Sequence, residues 1–447
     1  MENDKKMQKI DFGKDGIWKI LFKLAPPVMA AQLIQALYNM VDSIFVGRYS
    51  GAGLTALSII YPIQLLMIAI AVGTGVGINT LMAHYLGMGK VKEKDETAGT
   101  ATLLALAMWA VFAVLSFFLM PKYARMSTKS PEIIKEVVTY GRIVSVLSIG
   151  LFLESVWTKV LQSEGNMKLP MIAQIAGAVI NIVLDYLLIF GIGFFPRLGI
   201  AGAAIATVTG QIIAAVIVMT KGFRKSPALS VYKKYVKKIY YLGFPNILMQ
   251  SAYTFYIFGL NMILKGFSDQ AVTALGLYYK WQSFFFIPLG AMQTCIVPVI
   301  SYNYGAGMFD RCIKTLKDSV FFGWTLMIIG TLCFEIIPGP MLSVFSSDAK
   351  VIEIGVNAFH IIGISFIPLV TSLTFPVYFQ AIGQSVKSSL LTVLRTVVLF
   401  VPLGWLFSRL GLKYFWCTFP VTELITTAAG LIMLKRYNGK KINGHES

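Results

Sequence analysis

Apolar stretches of about 20 residues recur along the whole chain, each long enough to cross a hydrocarbon core of roughly 30 Å. We read about twelve, beginning near residues 20, 55, 98, 138, 168, 199, 239, 275, 318, 356, 388 and 414. In lipid every backbone N–H and C=O must be satisfied within the protein, which leaves helices and closed barrels as spanning structures. Barrel strands alternate polar and apolar residues, and these stretches do not. The expectation is an all-α membrane protein of twelve transmembrane helices. Composition agrees, since 56% of the 447 residues are apolar and 13% are charged, against roughly 25% charged in soluble chains.

The formal charge of +18 raises nucleic acid as a partner, but its placement argues against one. With the amino terminus inside, the inside loops take most of the Lys and Arg. The heaviest group is Lys221, Arg224, Lys225, Lys233, Lys234, Lys237 and Lys238. Others are the first two dozen residues, Lys90/Lys92/Lys94, Arg311/Lys314/Lys317 and Lys435/Arg436/Lys440/Lys441. Outside loops are sparser, although Lys122, Arg125, Lys129 and Lys135 form one outside group. This is the positive-inside pattern of a multi-pass cell-membrane protein with both termini cytoplasmic. The four cysteines, Cys295, Cys312, Cys333 and Cys417, have no paired spacing, so neither a disulfide framework nor a metal site is expected. The first residues carry no signal-peptide pattern, and no Walker A sequence appears.

The chain repeats itself at an offset of 218 residues. Pro27 faces Pro245, Gln32 faces Gln250, Tyr38 faces Tyr256, and Thr55-Ala56-Leu57 faces Thr273-Ala274-Leu275. Gly87 and Gly89 face Gly305 and Gly307, and Gln162/Gly165 faces Gln380/Gly383. Over residues 24–93 there are 13 identities in 70 ungapped positions. Six spans per repeat keep both halves in one orientation, related by a pseudo-two-fold axis along the membrane normal. The expected organisation is an N-terminal six-helix lobe over 1–220, a cytoplasmic linker over 221–238, and a C-terminal six-helix lobe with a short tail over 239–447.

Two aspartates sit inside apolar runs, Asp42 in YNMVDSIFVG and Asp185 in NIVLDYLLIF. A carboxylate in hydrocarbon costs several kcal/mol unless partnered, hydrated or protonated, so both are candidate functional residues. Their repeat counterparts are Leu260 and Leu403, which confines the acids to the first half. Gln35, Tyr38 and Asp42 share one helix face, as do Asn181 and Asp185. If those faces meet, the oxygens form a cage suited to Na+ or to H+. The alternative is that each aspartate only ties helices together by hydrogen bonds. Pro26-Pro27 permits a kink before Asp42. Glu423 and Arg395 are read as a structural pair in the last two spans. Glu154 is a candidate cavity residue, Glu335 lies near an outer helix end, His84 is read as a solvated helix-end residue, and His360 as structural.

These features resemble the multidrug and toxic compound extrusion (MATE) transporters. The resemblance lies in LAPPVMAAQLIQALYNMVDSIFVGRYS, HYLGMGKVKEKDET, LQSEGNMKLP, NIVLDYLLIF and GIAGAAIATVTGQ, and returns in SYNYGAGMFDRCIKTL and FQAIGQS. It implies a monomeric twelve-helix antiporter of two lobes that expels amphipathic, often cationic compounds by alternating access against Na+ or H+. No cofactor other than the coupling ion is implied. The resemblance places the coupling aspartates at Asp42 and Asp185, with Gln35, Tyr38, Asn181 and Thr207 as polar neighbours and Na+ held at Asp42, Asn181 and Asp185. The chain departs from the branch that also uses acids in the seventh and tenth helices. Here the seventh span has none, and the tenth has only His360.

The second half is rich in aromatic, Met and amide side chains, which suit amphipathic or cationic ligands. Gln250, Tyr253, Tyr256, Tyr279, Phe284 and Met292 are the expected substrate-cavity residues, although most such side chains pack between helices. The competing reading is a flippase or exporter of a lipid-linked sugar or polysaccharide precursor. It predicts several Arg or Lys inside spans, where only Arg142 and Arg395 come close. An intramembrane enzyme would need a clustered nucleophile, His or metal set, and His84, His360 and His445 are scattered.

Overall fold

The computed structural model describes residues 10–442, with side chains as far as Asn438. Residues 1–9, the side chains of Lys440 and Lys441, and His445 lie outside the described part. The chain divides into two compact units, Met1–Ile247 with Ser301–Met308, and Leu248–Ile300 with Phe309–Ser447. The first holds α1 (Ile17–Tyr49), α2 (Gly51–Gly87), α3 (Val91–Ser127), α4 (Pro131–Val146), α5 (Ile149–Ser163), α6 (Lys168–Phe190) and α7 (Ile200–Gly222). It also takes the opening turns of α8 (Leu229–Lys265) and the end of α9 (Asp269–Gly305). The rest of α8 and α9 belongs to the second unit, followed by α10 (Phe309–Ile336), α11 (Pro338–Ser343), α12 (Ala349–Gly363) and α13 (Phe366–Ala381). Then come α14 (Ser385–Val393), a π-helical segment (Leu394–Phe400), α15 (Val401–Ser408), α16 (Leu412–Phe415) and α17 (Thr418–Ile442).

Among the described residues, 10 helices are long and apolar enough to cross a membrane, and two bent pairs raise this to 12. The twelve apolar stretches are therefore spans. Several helices are longer than the stretches that announced them, because charged flanks such as Lys92–Glu96 continue the helix beyond the apolar run. α1 passes through Pro26 and Pro27 as one continuous helix.

The internal repeat is written in the backbone. α2 and α9 begin and end 218 residues apart. Ser50 and Ser268 cap them alike, each hydroxyl accepting the amide three residues on, from Gly53 and Ala271, at 3.1 Å. The helix ends repeat as well. Gly89 and Gly307 have φ of 72° and 75°, and Gly165 and Gly383 have 80° and 79°. A left-handed residue there satisfies the last carbonyls of the helix, and glycine adopts it without strain.

Two spans break where the sequence promised continuous helices. α4 meets α5 at 42° and α12 meets α13 at 57°. A break frees carbonyls that hydrocarbon cannot solvate, so neighbouring side chains must take them up. Trp109 of α3 donates its indole N–H to Val146 O at 2.8 Å, and Thr331 of α10 donates its hydroxyl to Gly363 O at 3.0 Å. Ser148 and Ser365 also turn back onto carbonyls three residues earlier, each at 2.6 Å.

Within the first unit, helices touch backbone to backbone at small residues. A Cβ on Gly77 would fall on Ile239 O, one on Gly87 on Tyr302 O, and one on Gly305 on His84 O. Close approach of this kind is how membrane helices gain packing without a hydrophobic driving force. It also corrects the reading of His84. That residue is 9% exposed, with its ring 5.4 Å from Tyr304, because the ends of α2 and α9 meet there.

The expected linker is largely helical: only 223–228 lies outside helix, and 229–238 forms the first turns of α8. Glu164 holds it, meeting Arg224 at 3.1 Å and Lys94 at 2.8 Å. Tyr235, 1% exposed, donates to Glu96 at 2.5 Å. Sequence reasoning missed this clamp, since its members lie far apart in the chain.

The glycine contacts give a direct test. Gly77→Ala should destabilise the purified protein by about 1–3 kcal/mol, the usual cost of overpacking. Gly276→Ala, at an exposed helical position with nothing within 4 Å of the added Cβ, should be neutral or slightly stabilising. Thermal unfolding followed by tryptophan fluorescence measures both.

Candidate functional site

The site in the first unit is built where α1, α6 and α7 come together. Gly177 and Gly210 bring α6 and α7 into contact, since a Cβ on either would lie 2.7 Å or 2.6 Å from the other's carbonyl oxygen. That approach sets Asn181, one turn beyond Gly177, against Thr207. The Asn181 amide donates to Thr207 Oγ1 at 3.4 Å, and Thr207 donates to Ala203 O at 3.0 Å. Asp185 follows one turn later and is wholly buried, while Asp42 on α1 is 9% exposed. The two carboxylates are near enough to interact electrostatically.

Two clefts open against this cluster. One, of about 90 Å³, is lined by Gln35, Tyr38, Glu154, Gln174, Asn181, Thr207 and Gln211 among others. The other shares Gln35, Tyr38, Thr207 and Gln211, and adds Asn39, Asp42, Ser58, Gln64 and Tyr140. The structure thus brings Gln35, Tyr38, Asp42, Asn181 and Thr207 to adjoining walls, with Asp185 behind them. Glu154 joins them from α5, accepting hydrogen bonds from Thr158 at 2.8 Å and from Gln174. It lies on α5, the helix that follows the bend from α4.

Among the described residues, Asp42 Oδ1, both carboxylate oxygens of Asp185, Asn181 Oδ1 and Gln211 Oε1 are buried without a hydrogen-bond partner. Native proteins rarely leave such atoms unsatisfied, and each calls for an explanation. They are hard oxygens of mixed type, which suits a proton or an alkali cation. Among the described residues no group of three or more His, Cys, Asp or Glu is placed to hold a metal ion.

The second unit treats its buried charges differently. Arg395 and Glu423 pair, Nη2 to Oε1 at 2.6 Å and Nε to both carboxylate oxygens at 3.1 Å. Ser372 donates its hydroxyl to the same carboxylate. His360 and Glu335 lie 2.9 Å apart at a half-exposed position.

Of the expected substrate residues, Tyr253, Tyr256 and Tyr279 form one ring cluster, with centroids 5.3 Å and 6.3 Å from Tyr253. Tyr256 is 2% exposed and stacks on Phe400 at 4.5 Å. Gln250 and Phe284 are exposed. Met292 is wholly enclosed on the inward face of α9, so it presents no surface to a ligand. Composition could not distinguish the inward from the outward face of so aromatic a helix.

The MatE family model matches residues 27–187 and again 245–406, once in each repeat. A "FAD transporter" of Shewanella oneidensis is 26% identical over 94% of this chain and 95% of its own length. "Multidrug export protein MepA" of Staphylococcus saprophyticus is 22% identical over 95% of this chain and 94% of its own. A solved multidrug resistance MATE family transporter in an outward-facing conformation superposes with a TM-score of 0.89. It is 20% identical and covers 98% of this chain and 100% of its own.

The two kinds of buried charge predict opposite stability effects. Glu423→Gln leaves a guanidinium buried without its counter-charge, and should destabilise by about 3–5 kcal/mol. Asp185→Asn removes a carboxylate whose oxygens have no partner, and should be neutral or stabilising. Melting temperatures of the two purified variants against wild type check the contrast.

Proposed function

The chain belongs to the MatE family, whose members are membrane transporters rather than enzymes, and from that premise we propose that it exports small amphipathic organic cations in exchange for Na+ or H+. The unpartnered oxygens of Asp42 and Asp185 beside a polar cleft carry this reading. The ion is taken up at these two carboxylates, with Asn181, Thr207, Tyr38 and Gln35 completing the shell, and the chain works by alternating access as a monomer. An ion shifts that equilibrium only if it prefers one facing state, so its binding must be unequal in the two. The charge bias supports a cell-membrane protein with both termini on the cytoplasmic side.

The cleft walls bear on the substrate. They present Asp42 and Glu154, and no Arg or Lys is among their lining residues. A lipid-linked sugar phosphate or FAD carries phosphate, which such walls repel. Tyr38, Tyr61 and Tyr140 are among the lining residues instead, and aromatic rings attract cations. The MepA relative's name points the same way, and the name of the Shewanella relative points to FAD.

Proteoliposomes with separately imposed proton and sodium gradients test the reading. Wild-type protein should accumulate a fluorescent quaternary amine under one gradient and leave FAD behind. Asp42→Asn and Asp185→Asn keep size and hydrogen bonding but remove the charge, and should abolish that accumulation. The ion's effect on substrate affinity, roughly 5- to 150-fold for a coupling of about 1–3 kcal/mol, should vanish with it. Normal gradient-driven uptake by Asp42→Asn under both gradients would refute the proposal.

A further inference from the structure

The second unit repeats the frame of the first-unit cleft and fills it. At the 218-residue offset Tyr38 becomes Tyr256, Glu154 becomes Ser372, Gly177 becomes Arg395 and Ile205 becomes Glu423. Where the first unit has a glycine at the cleft wall, the second has a guanidinium. Arg395 is 6% exposed and Glu423 fully buried. The contacts of Arg395 are those of a bound cation. Glu423 supplies both oxygens, Ser372 steadies that carboxylate, and the Phe400 ring lies 5.0 Å from the guanidinium carbon. Tyr256, the counterpart of Tyr38, closes over Phe400.

The backbone is remodelled at the same place. α6 is a continuous α-helix through Gly177 and Asp185, whereas its counterpart widens into a π-helix at Leu394–Phe400. Pro402 stands where the first unit has Leu184. It has no N–H to close an α-helical turn, which accounts for the wider segment just before it. π-Turns of this kind are found mostly at functional sites.

We infer that the Arg395 guanidinium is a tethered cation, taking in the second unit the place that an exchangeable cation takes in the first. Arg395 thereby determines that ion exchange is confined to one unit, and removing it opens a second small-cation site on Glu423. This rests on the reading of Asp42 and Asp185 as the exchanging pair. It also explains why the two units handle buried charge differently. Asp42 and Asp185 meet no basic side chain within 4.0 Å among the described residues, while Glu423 is saturated by one.

The test is the cation dependence of thermal unfolding of the purified full-length protein. Sodium, guanidinium and bulky N-methylglucamine chlorides are compared at equal millimolar concentration. With Asp42→Asn and Asp185→Asn combined, no cation-specific shift should remain. Adding Arg395→Gly, the first-unit residue at that place, should create one. The melting temperature should rise by a few degrees with sodium or guanidinium and not with N-methylglucamine, as expected for a ligand binding the folded state alone. Adding Glu423→Gln should abolish the rise. A purely structural ion pair predicts a lower melting temperature with no response to any cation.

Absence of a cation-specific rise in the Arg395→Gly protein overturns the inference. So does failure to recover it folded in any of the three salts. A residual shift in the Asp42→Asn/Asp185→Asn protein that Glu423→Gln removes overturns it as well, because Glu423 would then exchange cations beside an intact Arg395. A shift that survives Glu423→Gln instead sinks the first-unit reading, and the Arg395→Gly response separates the two failures.

Discussion

A charge removed from both water and a counter-charge is the most expensive group a membrane protein can hold, and this chain holds two kinds. Arg395 and Glu423 neutralise each other and are closed off. Asp42 and Asp185 have oxygens with no partner, next to clefts lined by amides and hydroxyls. A carboxylate left that way persists only if something mobile neutralises it for part of the time. The backbone-to-backbone contact of α6 and α7 at Gly177 and Gly210 holds the site open, because it leaves Asn181 and Thr207 facing each other and no room for a basic side chain.

Duplication supplied the frame and divergence the chemistry. Caps and left-handed glycines at Ser50/Ser268, Gly89/Gly307 and Gly165/Gly383 are kept in register. They fix where helices begin and end, and a change there would disturb a whole unit. The charged positions are free to differ. Gly177 and Arg395 occupy the same place in the repeat, as do Ile205 and Glu423, so the buried ion pair stands where the first unit has a glycine and an isoleucine.

The spans were legible because hydrocarbon demands long apolar runs, and the repeat because its identities fall on residues with backbone duties. Asp42 and Asp185 stood out as acids in apolar surroundings, and Asn181 by its spacing from Asp185. The breaks at α4–α5 and α12–α13 were hidden, since the apolar run continues through them and the satisfying groups, Trp109 and Thr331, lie on other helices. Glu154 was legible as an acid in mid-span, but its position in the sequence did not set it beside Gln35 and Tyr38. Met292 and His84 show the opposite limit. Which face of a helix is covered depends on neighbours distant in sequence, and both residues proved buried.

The central proposal is that the coupling ion is held at the first-unit acids beside the substrate cleft, so that an organic cation in the cleft and the ion oppose each other's binding. Linkage requires that each lower the other's affinity by the same factor. The most direct measurement adds a saturating organic cation, tetraphenylphosphonium, to the purified wild-type protein in weakly buffered detergent, and follows released protons with a dye and released Na+ with a selective electrode. The account predicts release of one of the two ions in proportion to the substrate bound. Substrate binding with release of neither would contradict it.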